Sequence, residues 1–88
     1  MKTKDYGILL SERVYQRTED FEKKITAVAF SCSCIKGIIK GNEITFHIGT
    51  GKVHGKTTKG KVIDAVIDFE DGDTLLFKIK YMVQNPTV

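Results

Sequence analysis

Tryptophan is absent from this 88-residue chain, cysteine occurs only twice, and neither sign of charge dominates. Two cysteines cannot build the disulfide framework of a small secreted domain, which leads us to expect a reducing, cytoplasmic setting. No apolar run approaches the roughly 20 residues of a membrane-spanning helix. The opening "MKTKDYGILLSERV" returns to charge too soon for a secretory signal. A net charge of +3 is too weak by itself to mark a nucleic-acid binder. Without tryptophan or an RNP-like aromatic pattern, base stacking has few candidates, of which Tyr6, Tyr15 and Tyr81 are the surface ones. No internal repeat, low-complexity block or linker breaks the chain, so residues 1–88 read as one small domain with a modest core.

The clearest local signal is the pair of alternating runs "KVIDAVIDF" and "TLLFKIKYMV", joined by "EDGD". A two-residue turn at Asp71-Gly72 would set acids against the apolar face. A three-residue loop, Glu70-Asp71-Gly72, instead places Ile67 opposite Leu75, Ala65 opposite Phe77 and Ile63 opposite Ile79. It also brings Asp64 to Lys78 and Asp68 to Thr74. Gly72 then occupies the left-handed position of a type I turn with a G1 bulge.

In the middle of the chain, "ITAVAFSCSCIKGIIK", "GN" and "EITFHIG" suggest a hairpin turning at Gly41-Asn42. That turn pairs Ile39 with Ile44, Ile35 with Ile48 and Lys40 with Glu43. It also sets Gly37 opposite Phe46, whose ring would cover the bare backbone. Val28, Phe30, Cys32 and Cys34 have the opposite parity from Ile35 and Ile39, which reads as one long strand bent or bulged between Cys34 and Gly37. Residues 11–25 are rich in helix formers. Leu10, Val14, Phe21, Ile25 and Val28 fall near one helical face with Ser11 as cap. A strand running through Val14 is the rival reading, and the tail "QNPTV" looks frayed. The expected fold is therefore mainly β: a strongly curved antiparallel sheet or small open barrel of four to five strands, with one short N-terminal helix.

Charge is unevenly spread. Residues 49–61, "GTGKVHGKTTKGK", hold four lysines and no acid, whereas residues 62–88 hold two lysines and five acids. The basic stretch is not a P-loop. The glycine required five positions before Gly55-Lys56 is replaced by Thr50, and no helix follows. A Rossmann fingerprint fails for want of a strand–loop–helix unit. Glycine-rich turns can nevertheless offer backbone N–H groups to anions. Lys52, His54, Lys56, Thr57, Lys59 and Lys61 form a candidate anion-binding set, with nucleic acid as first partner and a phosphorylated small molecule as second. The plain alternative is a solvated connection whose lysines discourage edge-to-edge aggregation.

Cys32 and Cys34, two apart on a strand, read as small buried hydrophobes. Their spacing is wrong for a zinc knuckle with His47 and His54. A thiol reading, with Cys34 as nucleophile and His47 as base, lacks an orienting group. Asp64 and Asp68 have cross-strand partners, and Glu70, Asp71 and Asp73 form a turn too short for a calcium loop. A second functional surface is the outer row Val62, Val66, Leu76 and Met82, suited to a protein partner or a second copy of the chain. These features describe a binding module, not an enzyme, with neither metal nor cofactor called for.

Overall fold

The computed structural model describes residues 1–55 and 58–86. Its strands are β1 (Lys2–Leu10), β2 (Val14–Asp20), β3 (Ile25–Phe30), β4 (Ile35–Lys40), β5 (Glu43–Gly49), β6 (Lys59–Phe69) and β7 (Thr74–Gln84). They form two sheets, one ordered β1-β7-β6-β3 and the other β2-β5-β4, and the first strand runs parallel to the last. This is the strand order of an immunoglobulin-like sandwich whose first strand has joined the sheet of β3, β6 and β7. Such a topology describes architecture and leaves function open. The expected single curved antiparallel sheet or small open barrel of four to five strands is thus corrected to two open layers with seven strands among the described residues.

The C-terminal hairpin forms in the anticipated register, with Ile67 opposite Leu75, Ala65 opposite Phe77 and Asp64 opposite Lys78. Gly72 takes φ 91° at the end of the three-residue loop, which an L side chain would resist. The turn at Gly41-Asn42 also pairs as expected, Ile35 with Ile48 and Gly37 with Phe46. The ring that covers Gly37 is Phe30, not Phe46: a methyl added there would lie 3.0 Å from its Cζ. Phe46 itself points into the core.

The long bent strand is in fact two strands. β3 pairs with β6 and β4 pairs with β5, so residues 31–34 carry the chain from one sheet to the other. Changing sheets reverses which parity faces inward, which explains the conflict between Val28 and Phe30 on one side and Ile35 on the other. The N-terminal helix is replaced by β2. Val14 to Asp20 pairs antiparallel with β5, setting Tyr15, Arg17 and Glu19 opposite the buried Ile48, Phe46 and Ile44. Hydrogen bonding to β5 overrides the helical propensity of this stretch.

Two polar residues on the inward side of β2 are tolerated because β2 is an edge. Arg17 lies over the rings of Tyr6 and Tyr15, 5.8 and 5.5 Å from their centroids. The Tyr6 hydroxyl donates to Glu19 Oε2 at 2.9 Å, and burial followed by this bond raises its pKa. Tyr6 and Tyr15 are therefore half-buried seam residues and Tyr81 is buried, none of them an exposed stacking platform.

Between the layers lie Ile44, Phe46, Ile48, Ile63, Ile67, Phe77, Ile79 and Val83. Phe46 stacks on Phe77 at 5.7 Å, which joins the middle strand of one sheet to the other sheet. β6 and β7, at 11 residues each, outrun the 6- and 7-residue strands of the smaller sheet. The molecule is accordingly elongated, 48 × 21 × 19 Å.

Ser11, expected as a helix cap, is buried in the β1–β2 turn. In the same turn Glu12 adopts φ 56° and its N–H donates to Gly51 O at 2.7 Å. A left-handed non-glycine residue costs about 1–2 kcal/mol. Glu12→Gly is thus expected to leave stability unchanged or raise it by about 1 kcal/mol, read from the urea midpoint; a clear loss would refute this account of the turn.

Candidate functional site

The chain directions bring the β1–β2, β3–β4 and β5–β6 connections together at one end of the sandwich. The β2–β3, β4–β5 and β6–β7 connections gather at the other. The far end carries the acidic turn Glu70 to Asp73, where Lys23 pairs with Asp71 at 2.9 Å and with Asp73. Its hydrogen bonds raise the pKa of Lys23, Asp73 contributing most, and the bond from Lys23 lowers that of Asp71. The near end carries Arg13, Lys36, Lys52, Lys59 and Lys61, with Glu12 as an acid beside them and Asp5 lining a depression with Lys61. Acids outnumber cations at the far end, although Lys2, Lys24 and Lys40 also lie there, whereas cations outnumber acids at the near end.

Residues 50–55 of the basic stretch are tied down. Thr50 is buried; its hydroxyl donates to Leu10 O at 2.7 Å and accepts from the Arg13 N–H at 3.0 Å. The Thr50 N–H donates in turn to Arg13 O at 2.9 Å. Three residues on, Val53 is buried under the same cap. Asn85 closes the arrangement. Its side-chain N–H group donates to Val53 O at 2.8 Å and also to Gly55 O, while its Oδ1 accepts from Ser11 Oγ at 2.7 Å. Of the tail expected to fray, Gln84 and Asn85 are thus held in place, and Thr87 and Val88 lie outside the described residues. Side-chain amides can satisfy several orphaned backbone groups at once, and Asn85 is used that way here.

Of the six residues proposed for anion binding, Lys52, His54 and Lys59 are exposed and Lys61 is half-buried; Lys56 and Thr57 lie outside the described residues. Lys59 and Lys61 sit two apart on one face of β6, opposite Val83 and Tyr81 of β7. They share parity with the buried Ile63, in the part of β6 that projects past the smaller sheet. Lys52 lies on the segment leading into that strand. Among the described residues, none of Lys52, Lys59 and Lys61 takes part in an ion pair; Lys78 instead pairs with Asp64 at 3.5 Å. Beside the cations, Asp5, Gly60, Lys61, Val62, Lys80, Tyr81 and Met82 line an open depression of about 170 Å³. The Tyr81 hydroxyl is buried without a hydrogen-bond partner, and burial raises its pKa.

The outer row is also placed. Val62, Val66 and Met82 are 57, 39 and 40 % exposed and Leu76 is half-buried, all on the outer side of the larger sheet. Ile8 belongs beside them, 63 % exposed and opposite Met82. Sequence reasoning missed Ile8 because the register shift in β1 between Asp5 and Ile8 decides its face. Val66, Leu76 and Ala29 line up across three strands, separated from Met82 by the Lys78–Asp64 pair.

Cys32 and Cys34 are half-buried and bonded to each other, which corrects their reading as free core thiols. Among the described residues, no group of three or more His, Cys, Asp or Glu side chains is arranged to hold a metal. No helix among them is long and apolar enough to cross a membrane. No family model matches this chain, and no curated protein is significantly similar to it.

Proposed function

We propose that the chain is a non-enzymatic binding module whose basic end engages a polyanion, with a nucleic-acid backbone as the preferred partner. The observation that carries this reading is the excess of cations at the near end, where, among the described residues, Lys52, Lys59 and Lys61 take part in no ion pair and Arg13 adds a further cation. Solvated cations outside ion pairs release condensed counterions on meeting phosphates, and this drives sequence-independent association. The surface favours an extended anion over a small phosphorylated ligand. Its nearest depression is small and open, whereas small-ligand sites enclose most of their ligand in roughly 300–1,000 Å³. Half-buried or buried tyrosines argue against reading of bases, so affinity should be indifferent to sequence.

The test is binding of a fluorescent 20-base-pair duplex across a salt series. With three to four phosphates neutralised, log K should fall against log salt with a slope of about −3. Replacing Lys52, Lys56, Lys59 and Lys61 by alanine should flatten the slope toward zero. Absence of salt-dependent binding by the unaltered chain would remove this function. Concentration-dependent sedimentation in that case would favour the second reading, a protein contact through Ile8, Val62, Val66, Leu76 and Met82, which rests on the exposure of those apolar side chains.

A further inference from the structure

We propose that Cys32 and Cys34 form a dithiol–disulfide exchange site, in which an incoming thiolate attacks Cys34 and Cys32 departs as the leaving thiolate. The bonded pair encloses a single residue, Ser33, on the crossover between the sheets. Stabilisation by a cross-link grows with the loop it closes, so the fold gains little from this one. The pair is held in place independently of its bond. On one side the Ser31 N–H donates to Asp64 O at 2.9 Å and Ser31 Oγ accepts from the Asp64 N–H at 2.9 Å. On the other, the Gly49 N–H donates to Cys34 O at 2.9 Å. Reduction would therefore leave the two sulfurs neighbours, ready to reoxidise.

The surroundings of the two sulfurs differ, and the difference gives the exchange a direction. Cys34 lines a depression of about 280 Å³ together with Val14, Ser33, Lys36, His47 and Gly49. Gly49, whose N–H bonds Cys34 O, adds no side chain to that lining, and a methyl there would lie 3.4 Å from Cys34 O. Lys36 and His47 are direct cross-strand partners in the same depression, so a thiolate approaching Cys34 meets an ammonium and an imidazole. Cys32 lies apart from that lining, and its Sγ accepts the Cys34 N–H at 3.2 Å. That hydrogen bond helps Cys32 leave as thiolate, and since Lys36 and His47 would likewise favour a Cys34 thiolate, the direction of exchange rests on access to Cys34.

The step balances with a small dithiol as reductant. Its thiolate bonds to Cys34 Sγ as the Cys32–Cys34 bond breaks, and the electron pair leaves on Cys32. The reagent's second thiolate then attacks its own bonded sulfur and expels the Cys34 thiolate. The reagent departs as a cyclic disulfide, the protein gains two electrons, and both sulfurs take up protons from solvent.

The experiment uses the full chain purified without reductant. A brief pulse of glutathione, quenched with iodoacetamide and mapped by peptide mass spectrometry, should place glutathione on Cys34 and the alkyl group on Cys32. Adduct mainly on Cys32, or a disulfide that resists glutathione until the chain is unfolded, would overturn the proposal. Dithiothreitol should reduce the Lys36→Gln variant about threefold or more slowly, and Gly49→Val more slowly still, because one removes attraction and the other fills the approach. Unchanged rates in both folded variants would count equally against it.

Discussion

Phe46→Ala is expected to lower the unfolding free energy by about 3–5 kcal/mol, the largest single-residue effect foreseen for this chain. Phe46 is fully buried on the central strand of the smaller sheet. It stacks on Phe77 at 5.7 Å and meets the edge of Phe30 at 5.9 Å, so one ring of the smaller sheet packs against two strands, β7 and β3, of the larger. Removing it takes away the transfer free energy of the ring and leaves a void between two hydrogen-bonded ladders. Ladders at fixed spacing relax poorly, which places the cost toward the upper part of the range. An 88-residue domain has about 4–13 kcal/mol of stability in total, so the variant should sit near the edge of folding. Urea unfolding followed by far-UV circular dichroism reads the change. A loss below about 1.5 kcal/mol would mean that the sheets do not close on this ring as described.

Thr50→Val is expected to cost about 2–3 kcal/mol although it preserves shape. The Thr50 hydroxyl serves Leu10 O and the Arg13 N–H, and valine would leave both backbone groups without that partner in a part-buried corner. Thr50→Ser keeps the hydroxyl and should retain most of the stability. The contrast between the two variants separates hydrogen bonding from packing. Hydrogen exchange supplies a local readout: the Arg13 amide should lose protection in the valine variant and keep it in the serine variant. Equal stability of the two would show that the hydroxyl is not what anchors the basic segment. A loosened anchor also bears on the proposed function, because Lys52 is held near β6 by the segment that Thr50 begins.

How much could be read without coordinates depends on whether the relevant forces are local. Glu70-Asp71-Gly72 announces its turn because the left-handed glycine, the acids and the alternating apolar runs on both sides agree within a dozen residues. Gly41-Asn42 does the same for β4 and β5. β2 was illegible because its inward positions are Tyr15, Arg17 and Glu19, two of them charged. A charged side chain is acceptable there only at an open seam, where the Arg17 guanidinium lies over the rings of Tyr6 and Tyr15. The basic stretch was legible as composition, yet its anchoring by Asn85, some thirty residues away, was not. Nor could C-x-C spacing say that the two sulfurs would meet, or that His47 and Lys36 would share a hollow with one of them.

By itself, then, the sequence determined the β-rich character, two hairpins with their registers, and the uneven spread of charge, since each follows from side-chain alternation, turn chemistry or residue identity. The tertiary structure decided that Ser31 to Cys34 is a passage between two sheets, that residues 14–20 are a strand, and that Arg13, Lys36, Lys52, Lys59 and Lys61 share one end. Those outcomes depend on which ladder a segment joins. Pairing energy comes from partners distant in the chain, and no local preference in the segment itself records it.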